Sequence, residues 1–318
     1  MHLEISSAMR RKRPVPSAVT SSLEKKVPTA MPYNLSDTLD GIVAAIAGIQ
    51  AALLEPSKPR RSDQAQKVLM TEAKRIDGQL LTWARSIPRH WKPLTLVSGN
   101  DFLPSIPNYM DLCDGYPSCQ IANIWNLWRL QRLTLVKLIL GIVDLPSIDK
   151  TAWPLDEHHL NIPKDLAEYR EIVQDLVDSV CRSVPFYLGN RTTPSSMADL
   201  TNPDILLLDQ LPLQLEQSIY TPQDRNLNVP SDEHRRHVIA QGPWHLMSPL
   251  SRLLTILSEN ATIASLLRPG QRQWIQAQFL RVLTLLHLFP VDHDHAGDIT
   301  ADFLAKQVRK GAVFMSGP

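Results

Sequence analysis

Cysteine is scarce in this chain of 318 residues: only Cys113, Cys119 and Cys181 occur. Three thiols cannot build a disulfide framework, so the fold must rest on its core, and a reducing compartment is expected. Cys113 and Cys119 could bridge if brought together, but free thiols are the expectation. Excess charge is missing too, since 33 basic and 32 acidic residues leave a net +1. That removes the bulk electrostatic case for nucleic-acid or membrane binding. No apolar run approaches the roughly 18–20 residues that a spanning helix needs. The nearest, 133–143, is interrupted by Thr134, Lys137 and Gly141. Residues 1–30 lack the apolar core of a signal peptide, so secretion is not expected. Glycine is sparse, with 12 residues, and G-x-S-x-G, G-x-x-x-x-G-K-S/T and G-x-G-x-x-G are all absent. No alternating apolar–polar stretch of useful length occurs either, which excludes a sheet-based fold.

Proline is plentiful. Its 25 residues cluster at 14–32, 88–117, 146–163, 185–230 and 243–249. They cut the chain into helical blocks joined by long proline-bearing connections, and the fold class expected is all-α, a multi-helix array. With 43% apolar and 20% charged residues the chain has ample material for a core.

Residues 1–30 read as a disordered basic arm in which Arg10, Arg11, Lys12 and Arg13 make a candidate nuclear-targeting run. A helical domain over 31–290 follows, then a tail over 291–318. Ser36 and Asp37 open a helix ending before Pro56, and a second covers about 62–86 with Val68, Leu69, Ile76, Leu80 and Trp83 on one side. Residues 88–117 carry the breakers 104-PSIPN-108 and 114-DGYP-117 and read as loop. The longest helix, 118–143, places Asn123, Asn126, Arg129, Thr134 and Lys137 on a polar arc, opposite Ile121, Trp125, Trp128, Leu135 and Ile139. Arg132 falls inside the apolar arc, so it needs a carboxylate, a carbonyl or a ligand. Residues 165–184 form the cleanest amphipath, capped by Asp165 and ended by Pro185, with Cys181 off its apolar stripe. Segment 190–242 reads as an irregular, partly disordered excursion with one apolar island at 204–217. Helices return at 243–258, 259–267 and 271–289.

Four blocks, in order, resemble the regulatory domain of fungal zinc-cluster transcription factors. They are 77-DGQLLTWARSIPRHWKP-93, 125-WNLWRLQRLTLVKLIL-140, 172-IVQDLVDSVCRSVPFYLG-189, and 242-GPWHLMSPL-250 with 269-PGQRQWI-275. The first is similar to that family's acidic helix ending in a W-x-P turn, the second to its W-N-x-x-R-x-x-R helix, the third to its S-V-P-F/Y-x-L-G segment. The likeness covers about 77–290. It implies a nuclear protein that modulates transcription through protein partners, self-association or a small-molecule effector. The family's DNA-reading module needs six cysteines around two zinc ions. The three present here do not supply it, so the expectation is a truncated product or a member without its DNA-reading end, making no direct DNA contact. An interaction scaffold without a transcriptional role is the first alternative, and a metal-dependent enzyme the second.

Arg129 and Arg132 are the candidate effector-gripping positions, with pairing in the core as their bland reading. Trp125 and Trp128, with Trp83 and Trp274, could line an effector pocket, although aromatics at helical spacing usually pack the core. The 292-DHDHAGD-298 segment offers oxygen and imidazole donors, but a surface loop accounts for it as well. His158 and His159 read as solvated loop. No catalytic residue, cofactor site or metal site is assigned.

Overall fold

The structure, a computed structural model, describes residues 8, 13, 15, 34–54, 63–142, 164–194, 196–211, 231–288 and 300–314. Helix accounts for 72% of the structure and strand for 5%. Among the described residues eight α-helices follow in order: α1 Asn34–Leu54, α2 Asp63–Ser86, α3 Cys119–Ile142, α4 Lys164–Leu188, α5 Asp232–Glu259, α6 Ala261–Ser265, α7 Gln271–Leu285 and α8 Ala301–Phe314. Helix α8 lies where a terminal tail is expected from the sequence. A two-stranded sheet, β1 Leu94–Val97 and β2 Leu112–Gly115, stands between α2 and α3.

The chain divides into two compact units, 1–86 with 131–174 and 313–318, and 87–130 with 175–312. In the first, α1 packs on α2. Leu39, Ile42, Val43, Ile46 and Ile49 of α1 are buried, as are Ala73, Ile76, Leu80 and Trp83 of α2. Each buried aliphatic side chain contributes about 1.5–3 kcal/mol, which outweighs the modest intrinsic propensity of any helix position. Val68, expected on the buried side of α2, is instead exposed. Helix α1 also supplies a 19-residue segment, Ser36–Leu54, long and apolar enough to cross a membrane. This exceeds the interrupted 133–143 run. Its five buried aliphatics face protein, and Asp40 is buried with them.

The second unit contains the departures from the proline-based reading. Residues 94–97 and 112–115 pair antiparallel, Leu94 against Gly115 through Val97 against Leu112. Four-residue strands are too short to display a period, and the Asp-Gly expected to break structure at 114–115 ends β2. The connection is turned tightly: Ser98 N–H donates to the Asp111 carbonyl at 2.8 Å, and Met110 and Asp111 both take left-handed backbone angles.

Helix α4 runs through Pro185 rather than stopping there. It stops at Gly189, whose φ of 56° suits a left-handed C-cap. A Cβ there would also lie 2.0 Å from the Leu206 carbonyl oxygen. Helix α5 begins eleven residues earlier than the prolines suggest, capped by Ser231, and contains Pro243 and Pro249 in its interior. Proline removes the N–H that would serve the carbonyl four residues back. For Pro243 that carbonyl belongs to Ile239, and the Arg191 guanidinium donates to it at 3.1 Å. The same side chain donates to the Val238 carbonyl at 3.0 Å and to the carbonyls of Leu188 and Tyr187 at the end of α4. Burial lowers the Arg191 pKa to about 10, with Asp199 opposing and Arg235 adding to that shift. At the same crossing Gly242 meets α4 backbone to backbone: a Cβ there would sit 2.2 Å from the Tyr187 carbonyl oxygen.

The 190–242 segment is likewise not a surface excursion where it is described. Leu207, Leu208 and Leu211 are buried, and Leu211 N–H donates to the Tyr116 carbonyl at 2.8 Å. Arg235 secures this stretch by donating to the carbonyls of Asp199, Leu200, Asn202 and Ile205. Helices α5 and α7 pack together, with Leu246, Leu250, Leu253 and Leu254 of one buried and Ile275, Phe279 and Val282 of the other.

Candidate functional site

The densest polar constellation in the second unit is built on Asp114 of β2. Its carboxylate accepts from Arg129 Nη2 at 2.8 Å, Arg182 Nε at 3.3 Å, the Tyr116 hydroxyl at 3.3 Å and the Thr95 hydroxyl at 3.2 Å. The Asp114 and Arg129 side chains are 3% and 4% exposed, so this ion pair is shielded from water. Arg129 Nη1 donates further to the Tyr116 hydroxyl at 2.7 Å and to Asn126 Oδ1 at 2.9 Å, and its guanidinium lies 5.8 Å from the Tyr116 ring centre. Burial acts to weaken its hold on the proton, but Tyr116 and Asp114 together more than restore it, and the pKa is raised. Arg182 adds a bond to the Ser179 hydroxyl at 2.9 Å.

The expected polar arc of α3 therefore points inward here. Arg129 and Asn126, placed on it from the helical projection, are both buried. The hairpin supplies what faces them, and that hairpin is what sequence periodicity could not reveal. The alternation Leu94-Thr95-Leu96 was the only local signal. Thr95 and Asp114 are register partners across the sheet, so the strand pairing itself sets the acceptor and one of its four donors in place.

Arg132, one turn further along α3 and in the other unit, meets Asp77 of α2 with Nε at 2.8 Å and Nη2 at 3.3 Å. The two side chains are 11% and 23% exposed. A partner carboxylate was one of three partners the sequence required, and Asp77 opens the 77–93 block. Trp125 and Trp128 are both nearly buried and meet edge to face, with ring centres 5.7 Å apart. The Trp125 indole N–H donates to the Trp91 carbonyl at 2.8 Å. Trp83 is also buried, while Trp274 is half-buried against Tyr109 at 5.2 Å.

All three cysteines are free and buried. Cys181 lies inside the core rather than off the stripe, because the second half of α4 is enclosed on every side. Burial pushes the Cys119 thiol up to about 12, and drives Cys113 and Cys181 upward as well, with Asp114 and Asp178 respectively adding to the effect. A thiol that holds its proton is a poor nucleophile and a poor metal ligand. Among the described residues no group of three or more His, Cys, Asp or Glu is placed to hold a metal ion. The 292–298 segment, His158, His159, Arg10, Arg11 and Lys12 lie outside the described residues; Arg13 is exposed. The chemistry available to the Asp114 network is orientation: a carboxylate, two guanidiniums, an amide and three hydroxyls hold one another in a single arrangement. No protein-family model, no curated protein and no solved structure matches the chain.

Proposed function

We propose that this chain is a regulatory domain of the fungal zinc-cluster transcription-factor type. It acts in the nucleus and modulates transcription through protein contacts or an effector, with no zinc-cluster DNA reading by the residues present. The observation that carries this reading is that residues of the resembling blocks are one another's partners. Asp77 of the first block holds Arg132 of the second. Trp91 of the first accepts from Trp125 of the second. Asn126 of the second donates to Ser183 of the third at 3.0 Å. Residue types that recur together in order are expected when each is the other's hydrogen-bond or ion-pair partner, because replacing one alone leaves a buried polar group unsatisfied. A chance likeness carries no such requirement.

The test is a reporter experiment in a fungal cell, with the full chain fused to a heterologous DNA-binding module. A several-fold change in reporter expression, of either sign, is the expected result. An unchanged reporter, together with exclusion of the unfused chain from the nucleus, overturns the reading.

A further inference from the structure

Helix α5 carries two histidines, His237 and His245, both half-buried. Their rings stack at 18° with centres 5.3 Å apart, and their Nε2 atoms face each other at 3.1 Å. The proton positions on the two rings follow from a chain that starts at the buried ion pair. A guanidinium can only donate, so Asn126 turns its Oδ1 toward Arg129. The Asn126 amide nitrogen then faces Ser183 and the Tyr187 hydroxyl. Tyr187 passes its own proton on to Asn123 Oδ1 at 2.9 Å. Asn123 Nδ2 in turn donates to His245 Nδ1 at 2.7 Å. His245 must therefore carry its proton on Nε2 and donate it to His237 Nε2, which leaves His237 protonated at Nδ1.

An additional proton has no place in this arrangement. On His237 Nε2 it meets the His245 N–H, and on His245 Nδ1 it meets the Asn123 amide N–H. Reversing Asn123 would take its Oδ1 away from the Tyr187 hydroxyl proton that it accepts. The groups facing the pair are Asn123 from α3 and the Tyr187 ring from α4, 6.1 Å from that of His245, with Glu233 and Arg236 exposed on α5 itself. Among the described residues neither imidazole is ion-paired to a carboxylate; Glu233, one turn before His237, is exposed. Burial, and then the neighbouring His237, lower the His245 pKa from the ordinary imidazole value.

We propose that His245, held between Asn123 and His237, forms a proton-operated latch, in which protonation of His245 breaks the hydrogen-bonded chain and loosens residues 232–242 of α5 against α3. The sign follows from linkage. The folded protein holds the His245 pKa below its unfolded value near 6.5, so the latch is fully closed above about pH 6.5 and weakens as pH falls below it.

Two measurements on the full chain test this. Nitrogen-detected NMR of the imidazoles near neutral pH is expected to show His245 as the Nε2–H tautomer and His237 as the Nδ1–H tautomer; the opposite tautomer at either ring overturns the proposal. Amide hydrogen exchange, corrected for intrinsic rates, is expected to rise about tenfold over 232–242 between roughly pH 7.5 and 5.5 while α3 around Asn126 holds. His237→Gln keeps an acceptor for His245 but removes the neighbouring imidazole that adds to its lowered pKa, and should reduce that rise. A wild-type chain with no rise, or an equal rise in the variant, sinks the latch. If the variant does not fold, the wild-type tautomers and exchange decide.

Discussion

Asp114 is the residue on which the second unit's buried charge depends. It is the one carboxylate bonded by both Arg129 and Arg182. Removing it strands a guanidinium in the core, and Asp114→Ala is expected to cost about 3–5 kcal/mol by urea denaturation. Arg129→Met should cost less, about 1–3 kcal/mol, since Asp114 keeps Arg182, Tyr116 and Thr95. The Arg132–Asp77 pair is nearer solvent, so Arg132→Leu should cost roughly 1 kcal/mol. Adding Asp77→Leu should recover most of that loss, and a double-mutant cycle measures the coupling. A recovered melting temperature with lost reporter regulation would assign the pair an effector role. At this scale Arg132 was legible because its charge contradicts its apolar neighbours. Arg129 was not, because a helical projection gives relative faces and never which face a distant strand will cover.

At the scale of elements, helix existence was readable and helix ends were not. Apolar positions at three- and four-residue spacing mark α1 through α5 and α7. Pro185 suggested a stop and Pro243 a start that the chain does not make, since a stranded carbonyl can be served by a side chain from elsewhere. Arg191 does this for Ile239, and Arg191→Met should lower stability by about 1–3 kcal/mol and raise amide exchange around 238–243. Gly242 gives a sharper contest. Alanine in a helix interior is favoured over glycine by about 1 kcal/mol, yet its Cβ would meet the Tyr187 carbonyl at 2.2 Å. The contact should win, so Gly242→Ala is expected to destabilise, measured by thermal unfolding. A stabilised variant would mean that the α4–α5 crossing is looser than described.

At the scale of the molecule, the functional reading makes one prediction that needs no protein. A message across the 5′ end of the gene should encode six cysteines in zinc-cluster spacing if this chain is the regulatory part of a DNA-binding factor. A message starting at Met1 would leave a helical protein without that module. The two compact units were hidden in the sequence, because the boundary between them falls inside α3 and α4 rather than at a proline-rich connection. The sequence by itself determined the helical class, the balance of charge, the shortage of cysteine for a disulfide framework and the need of Arg132 for a partner. These are local or compositional properties, carried by residue type and by a period of 3.6. Only the tertiary structure decided the hairpin, the inward turn of Arg129 and Asn126, and the meeting of His237 with His245. Each of these depends on which groups the folded chain brings within about 3 Å across many intervening residues, and no spacing along the chain encodes that.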